Sequence, residues 1–259
     1  MKENHLLQIR RIMESAVREA AELILQAHGI LAETKTGKRD VVTEYDRRVQ
    51  ETLIALLSDA VPGAHFFCEE MDEQDRLDEK QVFIIDPIDG TMNFVHGLKH
   101  SCISVAYMEE GEVRVGMIYN PYTDELFSAI AGGGAECNGK AIHVTDTGLA
   151  DSIVCFGTAP YQPALTDRTF SLARKLFDAG LDLRREGAAA LDLCTVAAGR
   201  AGLFFELQLS FWDYAAGQLI VKEAGGVCTS PDGVPLSQDG SKCGVVAGSP
   251  AAVKDYFSL

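Results

Sequence analysis

Several features that mark other classes of protein are scarce or missing in this 259-residue sequence. Basic residues are outnumbered, with 23 Lys and Arg against 38 Asp and Glu, so the formal net charge is −15. Nucleic acids and anionic lipids both recruit basic surfaces, so neither kind of partner is favoured. No apolar run approaches the roughly 20 residues of a membrane-spanning helix. The charged start of the chain lacks the apolar core of a signal peptide, which favours a cytoplasmic location.

Metal-binding and disulfide patterns built on cysteine or histidine are also missing. The seven cysteines are widely spaced and form no CxxC pair, which argues against a zinc knuckle and a disulfide framework. We expect most of them to be buried as small apolar residues. The histidines show no HxH or HExxH spacing, so a zinc site based on histidine is not indicated.

Hydrophobic periodicity predicts a chain in which helices and strands are mixed. The predicted helices cover residues 5–28, 44–59, 167–179, 188–198, 213–224 and 251–257, and residues 34–43 form a loop or hairpin. The predicted strands cover residues 82–85, 101–108, 112–119, 125–130, 152–157, 181–184, 201–206, 227–229 and 244–247. Because there is no strict βαβ repeat, we expect an α+β fold with layered sheets rather than a barrel. We expect one unit over residues 1–259, built from halves 1–145 and 146–259 that share one cleft.

The most informative acidic residues follow the apolar run at 82–85. Asp86 ends this run, and Asp89 follows three residues later in the sequence Asp-Pro-Ile-Asp-Gly-Thr. Two carboxylates at this spacing can share a cation, and a helical turn opening at Gly90 and Thr91 would offer free N–H groups to an anion. The alternative is a plain turn in which Asp89 caps a helix. That alternative does not explain the carboxylate at the end of the apolar strand, so a cation-bridged phosphate is the better interpretation.

Two further acidic segments are compatible with the same site, but their patterns are less specific. Glu69 and Glu70 begin an acidic stretch that, taken alone, indicates a solvated loop. Asp213 follows Trp212 and is either a helix N-cap or a third carboxylate that points into the cleft. A ligand set made only of oxygen atoms prefers Mg²⁺ or Mn²⁺ to Zn²⁺. Three or four carboxylates from separate segments suit two ions about 3.5–4 Å apart.

Four ordered motifs resemble those of the inositol-monophosphatase family, which belongs to the Mg²⁺-dependent, lithium-sensitive phosphatases. They are residues 40–46 (DVVTEYD), 69–70 (EE), 86–96 (DPIDGTMNFVH) and 212–217 (WDYAAG) with 223–226 (EAGG). The resemblance covers nearly the whole chain and implies a layered αβαβα sandwich and a homodimer. It also implies hydrolysis of a small phosphate monoester, with myo-inositol 1-phosphate as first choice, by an activated water and without a covalent enzyme intermediate.

The resemblance also assigns metal and catalytic roles. Glu69, Asp86 and the carbonyl of Ile88 correspond to ligands of one Mg²⁺, and Asp86, Asp89 and Asp213 to ligands of the second. Thr91 and Asp46, together with Glu69, correspond to the group that activates the water, and Lys35 lies in a mobile loop near the metals. Two or three Mg²⁺ ions are implied, with Mn²⁺ as a substitute and Li⁺ as an inhibitor.

Substrate contacts are implied at a further set of positions. Asp89, Gly90, Thr91 and Asp213 correspond to residues around the phosphate and the ester oxygen. The alcohol part corresponds to Gly187, Ala188, Ala189 and Glu206, with Gly157 and Thr158 beside them. Ala188 stands where family members often carry a hydroxyl, which leaves the identity of the alcohol open.

Several other functions therefore stay open. Fructose-1,6-bisphosphatase and histidinol-phosphatase activities are alternatives, as is 3′-phosphoadenosine 5′-phosphate phosphatase activity, which Asn93 disfavours. A different class is a regulatory or RNA-polymerase-associated protein that keeps the fold without turnover. In that case, variants of the metal site would retain function.

Overall fold

The computed structural model describes residues 2–37, 39–72 and 74–259. The first half of the chain contains α1 (Lys2–Leu25), β1 (Ala32–Gly37), β2 (Asp40–Thr43), α2 (Glu44–Ala60), β3 (His65–Cys68), β4 (Gln81–Asp89), α3 (Thr91–Val95), β5 (Cys102–Glu109), β6 (Glu112–Asn120), β7 (Glu125–Ile130), β8 (Gly134–Cys137) and β9 (Lys140–Ala141). The second half contains β10 (Ile153–Phe156), α4 (Thr166–Ala179), β11 (Asp182–Arg184), α5 (Ala189–Ala197), β12 (Leu203–Leu209), α6 (Phe211–Glu223), β13 (Val227–Thr229), β14 (Cys243–Gly248) and α7 (Pro250–Tyr256). Short 3₁₀ turns lie at Leu149–Asp151 and Pro163–Leu165.

The strands form two main sheets and one hairpin. Seven strands run in the order β3-β4-β5-β6-β7-β8-β9, and five run in the order β11-β10-β12-β14-β13. Pairing in the larger sheet is antiparallel except between β3 and β4, whereas β10 is parallel to both of its neighbours. Strands β1 and β2 pair as an antiparallel hairpin, which decides between the loop and the hairpin expected over residues 34–43.

Three apolar clusters order these elements into layers. Helices α1 and α2 pack on one face of the larger sheet, and α5 and α6 lie on its other face and also contact the smaller sheet. Helices α4 and α7 cover the outer face of the smaller sheet. The order is therefore helix, sheet, helix, sheet, helix, which is the expected αβαβα sandwich.

Strand β4 illustrates how the sequence produces this layering. Its residues point alternately to opposite faces, so Val82 and Ile84 join the cluster that contains α5 and α6, while Phe83 and Ile85 join the cluster of α1 and α2. All four are at most 1% exposed. A strand covered on both faces must be apolar at every position, as predicted for residues 82–85.

Helix α6, from the second half of the chain, packs on one face of the larger sheet. The close approach depends on Gly116 of β6, because a Cβ atom there would lie 2.6 Å from the carbonyl oxygen of Ala216. The two halves thus share one helix layer, although their division at residue 145 remains a proposal.

The boundaries of several elements differ from those expected. Helix α1 ends at Leu25 rather than at residue 28. Strands β3, β8 and β9 were not expected, since they are two to four residues long and only partly buried. Seven free cysteines are present, four of them buried, as expected for small apolar residues. Among the helices described, none is long and apolar enough to cross a membrane.

Candidate active site

Strand β4 carries two of the candidate metal ligands past its expected end. It was expected to stop at Asp86, but the strand continues to Asp89 through a shift in its register with β5. Pro87 has no N–H to donate to the ladder, and the Asp86 carboxylate instead accepts the N–H of Ile88 at 3.1 Å. The irregularity leaves Asp86 2% exposed and Asp89 9% exposed.

A left-handed glycine follows these carboxylates and begins the short helix α3. Gly90 is its N-cap with φ of 85° and makes no side-chain cap. A Cβ atom at Gly90 would lie 3.1 Å from both the Ala188 Cβ and the His100 carbonyl oxygen. The alternative in which Asp89 caps this helix is wrong. Its Oδ2 accepts the N–H of Ala190 at 2.7 Å, which ties β4 to the first turn of α5.

Asp213 lies at the start of α6, but it is not the N-cap. Ser210 is the N-cap, and Asp213 is the third helical residue of a capping box in which its Oδ2 accepts the Ser210 N–H at 2.7 Å. This bond fixes the carboxylate at the helix N-terminus, where the macrodipole also favours negative charge.

Glu69 follows β3 and meets the hairpin that carries Lys35. The Glu69 N–H donates to the carbonyl of Ile85 at 3.1 Å, which places Glu69 beside the end of β4. Lys35 Nζ donates to Glu69 Oε1 at 3.0 Å and also to Glu70 Oε1. Burial acts to lower the pKa of Lys35, but the two glutamates outweigh it and the pKa is raised. The ammonium group is therefore a resident positive charge at the site.

Thr91 and Asp46 come together although they are far apart in the sequence. The Thr91 hydroxyl lies 3.2 Å from Asp46 Oδ1 and 3.1 Å from the carbonyl oxygen of Ile88. Asp46 is fully buried and accepts the N–H of Thr43 at 2.8 Å within the capping box of α2. The pair is thus held rigidly next to the carbonyl that the resemblance implies as a metal ligand.

The carboxylates influence one another electrostatically. Burial raises the pKa of Asp86 and of Asp213, and repulsion from Glu69 and Asp89 adds to it. Burial also raises the pKa of Asp89 to about 7. Burial also raises the pKa of Glu69, and Lys35 opposes this increase. The raised pKa values and the Lys35 ammonium group both reduce the negative charge of the cluster, which a divalent cation would otherwise neutralise.

The donor set fits Mg²⁺ in its chemistry. It consists of carboxylate oxygens and one carbonyl, which are the hard ligands that this ion prefers. Within the ranges described, no group of three or more His, Cys, Asp or Glu side chains is already arranged to hold a metal ion.

A second cluster lies on the side of the expected alcohol pocket. Glu206 on β12 is 7% exposed, and its Oε1 accepts the N–H of Ala159 at 2.7 Å. Burial raises the pKa of Glu206 to about 7. A Cβ atom at Gly157 would lie 1.8 Å from Glu206 Oε2. Only glycine at position 157 therefore leaves room for the carboxylate in this position.

The start of α5 lies beside the turn at Gly90, because a Cβ atom there would be 3.1 Å from the Ala188 Cβ and 3.3 Å from the Gly187 carbonyl oxygen. Ala188 and Ala189 are both buried, and Gly187 precedes them with φ of 90°. Asn93 donates to the carbonyls of His100 and Glu186 at 2.7 and 2.8 Å, which fixes the approach of this segment to α3.

Three residues near the site were not identified from the sequence. Arg185 donates to the Thr158 hydroxyl at 3.2 Å, and Asp192 on α5 is 1% exposed with neither carboxyl oxygen hydrogen-bonded. Tyr161 belongs to the loop after β10 and lies within electrostatic range of the acidic cluster. None of the three lies in a motif or a periodic pattern that could have indicated a role.

Known proteins share the sequence pattern and the fold of this chain. The model of the inositol monophosphatase family matches residues 5–257. The chain belongs to the inositol monophosphatase family. The Nus factor SuhB of Pasteurella multocida is 36% identical over 94% of this chain and 92% of that protein.

Solved structures show the same architecture. The inositol monophosphatase (IMPase) of Thermotoga maritima is 30% identical, covers 100% of this chain and 96% of its own, and superposes with a TM-score of 0.85. An IMPase/NADP phosphatase complexed with Mg²⁺ and phosphate is 27% identical, covers 98% of this chain and 95% of its own, and gives a TM-score of 0.88. The expected family and fold are thereby confirmed, with Mg²⁺ dependence at the level of the family.

Proposed function

We propose that this protein is a Mg²⁺-dependent phosphate monoester hydrolase, with myo-inositol 1-phosphate as its preferred substrate. The observation that carries the proposal is the convergence of Glu69, Asp86, Asp89 and Asp213 beside the helical turn at Thr91. Carboxylates next to free backbone N–H groups suit a cation-bridged phosphate. The related IMPase/NADP phosphatase structure, which is complexed with Mg²⁺ and phosphate, supports a site that binds a cation and a phosphate together.

In this proposal the ligands divide between two ions. Glu69, Asp86 and the carbonyl of Ile88 hold one Mg²⁺, and Asp86, Asp89 and Asp213 hold the other. Bound there, Mg²⁺ supplies Lewis-acid stabilisation of the phosphoryl and ester oxygens and lowers the pKa of a water.

The other residues position the reactants. Thr91, hydrogen-bonded to Asp46, accepts a hydrogen bond from the attacking water and passes a proton toward the buried Asp46 carboxylate. The N–H groups after Gly90 bind the equatorial phosphate oxygens, where charge accumulates. As the P–O bond breaks, Asp213 relays a proton from a solvent water to the leaving alcohol oxygen, and Glu206 accepts hydrogen bonds from the other hydroxyl groups of the substrate.

A substrate panel tests this proposal. Phosphate release is measured from myo-inositol 1-phosphate, fructose 1,6-bisphosphate, histidinol phosphate and 3′-phosphoadenosine 5′-phosphate, with Mg²⁺, with Mn²⁺ and with EDTA. We expect the highest kcat/KM for the inositol ester, loss of turnover in EDTA and inhibition by Li⁺. Turnover that persists in EDTA would overturn the metal dependence, and a preference for another ester would replace the substrate.

A regulatory role is the second candidate, because the relative from Pasteurella multocida is named a Nus factor. Such a role requires the fold but not the metal ligands. A regulatory role predicts that a cell carrying Asp86→Asn behaves like the wild type. Hydrolase activity as the cellular role predicts that the same cell shows the phenotype of the gene deletion.

Quaternary structure and location are part of the proposal as well. We propose a homodimer that acts on a small phosphate ester in the cytoplasm without nucleic-acid or membrane partners. Sedimentation equilibrium tests the dimer, for which a molecular mass near twice 28.0 kDa is expected.

A further inference from the structure

A cavity lies between the start of α1 and the edge of the larger sheet that ends in β9. Its volume is about 720 Å³, which is within the range of sites for small molecules. Helix α1 supplies Leu6, Leu7 and Arg10, and the other walls come from strands β6 to β9 and the turns between them. Among the residues described, the cavity shares none of its lining with the candidate active site. A ligand bound here would therefore be separate from the substrate.

A turn of three glycines between β7 and β8 forms one wall of this cavity. Gly132 and Gly134 donate their N–H groups to the two carboxylate oxygens of Glu223, at the end of α6, at 2.8 and 2.9 Å. Gly133 donates its N–H to the carbonyl of Ile130 at 2.8 Å. The turn is thus held in a defined conformation, and its lack of side chains lets a ligand approach the backbone closely. The wall is therefore formed before any ligand binds.

Two arginines line the cavity, and their ion pairs use only part of each guanidinium group. Arg10 pairs with Glu136, which also accepts the hydroxyl of Ser128 at 3.2 Å. Arg114 Nη1 donates to Glu112 Oε2 at 3.0 Å. The Nε atom of each arginine is buried and has no hydrogen-bond partner in the described part of the chain. Of these four charged residues, the two arginines and Glu136 line the cavity, which is therefore locally positive in a chain of formal net charge −15.

A guanidinium group binds carboxylate-like anions through two parallel N–H bonds. A small rotation of the Arg10 or Arg114 side chain would aim its Nε at an anion in the cavity and give this donor the partner that it lacks. A buried donor without a partner is unfavourable, so the pairing would be favourable for the protein as well as for the ligand.

Much of the remaining lining is apolar. Leu6 and Leu7 face the cavity from α1, and Ile130 and Ala131 do so from the end of β7. An inorganic anion would occupy only a small part of about 720 Å³ and would leave this apolar surface uncovered. A neutral apolar molecule would leave the arginine N–H groups unpaired. A molecule with one anionic group on an apolar body satisfies both parts of the lining.

We propose that this cavity binds a small organic anion. The guanidinium groups of Arg10 and Arg114 bind its anionic group, and Leu6, Leu7 and the glycine turn contact its apolar body. This site is independent of hydrolysis at the candidate active site.

Two fluorescent probes that differ in charge test the proposal in the full-length protein. The first, 1-anilinonaphthalene-8-sulfonate, carries a sulfonate on an apolar ring system, and the second, N-phenyl-1-naphthylamine, is the same ring system without the sulfonate. The affinity for each probe is measured by fluorescence titration in the wild type, Arg10→Gln, Arg114→Gln and the control Arg11→Gln. Arg11 is an exposed residue of α1 that does not line the cavity.

We expect the wild type and Arg11→Gln to bind one sulfonate probe per chain, more tightly than the neutral probe. A hydrogen bond to a charged group corresponds to about 10- to 100-fold in affinity. Arg10→Gln and Arg114→Gln should each weaken binding of the sulfonate probe by a factor in that range. The affinity for the neutral probe and the unfolding temperature should stay at their wild-type values.

Three results would overturn the proposal. The same affinity for the sulfonate probe in all four proteins would show that the probe binds elsewhere. A wild type that binds both probes equally would show that the arginines do not recognise the anionic group. A loss that is equal for both probes, or that accompanies a lower unfolding temperature, would assign the arginines a structural role instead.

Discussion

The contact between Gly157 and Glu206 allows a quantitative test of the expected alcohol pocket. The three heavy atoms nearest to a Cβ built at Gly157 all belong to the Glu206 carboxylate, the nearest at 1.8 Å. In Gly157→Ala the carboxylate must move and release the N–H of Ala159, which it accepts at 2.7 Å in a buried setting. An orphaned buried donor costs about 1–3 kcal/mol, and crowding adds about 1–3 kcal/mol. We therefore expect Gly157→Ala to lower the free energy of unfolding by about 2–6 kcal/mol.

The effect of Gly157→Ala on the free energy of unfolding changes sign when the Glu206 carboxylate is removed first. In a Glu206→Ala background the added methyl group no longer meets the carboxylate, and the Ala159 N–H has already lost its acceptor. Replacing glycine by alanine at a position without positive φ stabilises by about 0.4–1 kcal/mol through the unfolded chain. The coupling between the two substitutions is therefore expected to be at least about 2 kcal/mol.

Urea unfolding of the wild type, the two single variants and the double variant measures this coupling. The single tryptophan, Trp212, reports unfolding by its fluorescence. KM for myo-inositol 1-phosphate is measured alongside, and we expect it to rise in Gly157→Ala nearly as much as in Glu206→Ala, with Mg²⁺ affinity unchanged. If Gly157→Ala costs the same with and without Glu206, the packing argument is refuted.

The remaining predictions concern protons, the resident ammonium group and the phosphate turn. The pKa values of Asp89 and Glu206 are raised to about 7 in the folded protein, whereas unfolded carboxylates titrate near pH 4. The folded state thus holds extra protons between these values, so in EDTA the unfolding temperature should fall as the pH rises from 4.5 to 7. The increase that Mg²⁺ produces should be larger at pH 8 than at pH 5.5, and an equal increase at both would contradict proton displacement. Lys35→Gln should strengthen Mg²⁺ binding up to about fivefold in calorimetry, because its ammonium group competes for Glu69; weaker binding would exclude that competition. Gly90→Ala should lower the free energy of unfolding in urea by about 1–2 kcal/mol, because the φ of Gly90 is 85°. The same variant should weaken phosphate binding, and unchanged binding would show that this turn does not contact the phosphate.

The parts of the fold that could be predicted are those with a strong local pattern. Residues 82–85 are apolar at every position, and the strand there is covered on both faces. The helices at 44–59 and 167–179 show a single apolar face, and both are present within a few residues of their expected bounds. Strand β3 (His65–Cys68) was missed because four residues are too few to show a strand pattern before the acidic stretch that follows.

Without the family resemblance, local patterns could predict the candidate site only where its residues are neighbours in the sequence. Asp86 and Asp89 are adjacent on one strand, so their proximity follows from their spacing. The contact between Thr91 and Asp46 spans 45 residues and depends on how α2 packs against β4, which no local pattern encodes. Of the two roles left open for Asp213, the N-cap belongs to Ser210, which lies upstream of the tryptophan that marked the motif.

The central claim is that the four carboxylates hold the Mg²⁺ that hydrolysis requires. It is tested most directly by the rate of phosphate release from myo-inositol 1-phosphate as a function of Mg²⁺ concentration, in the wild type, in Asp86→Asn and in the exposed control Asp151→Asn. We predict saturable activation by Mg²⁺ in the wild type and in Asp151→Asn, and loss of turnover in Asp86→Asn at every Mg²⁺ concentration. Wild-type turnover in Asp86→Asn would contradict the account.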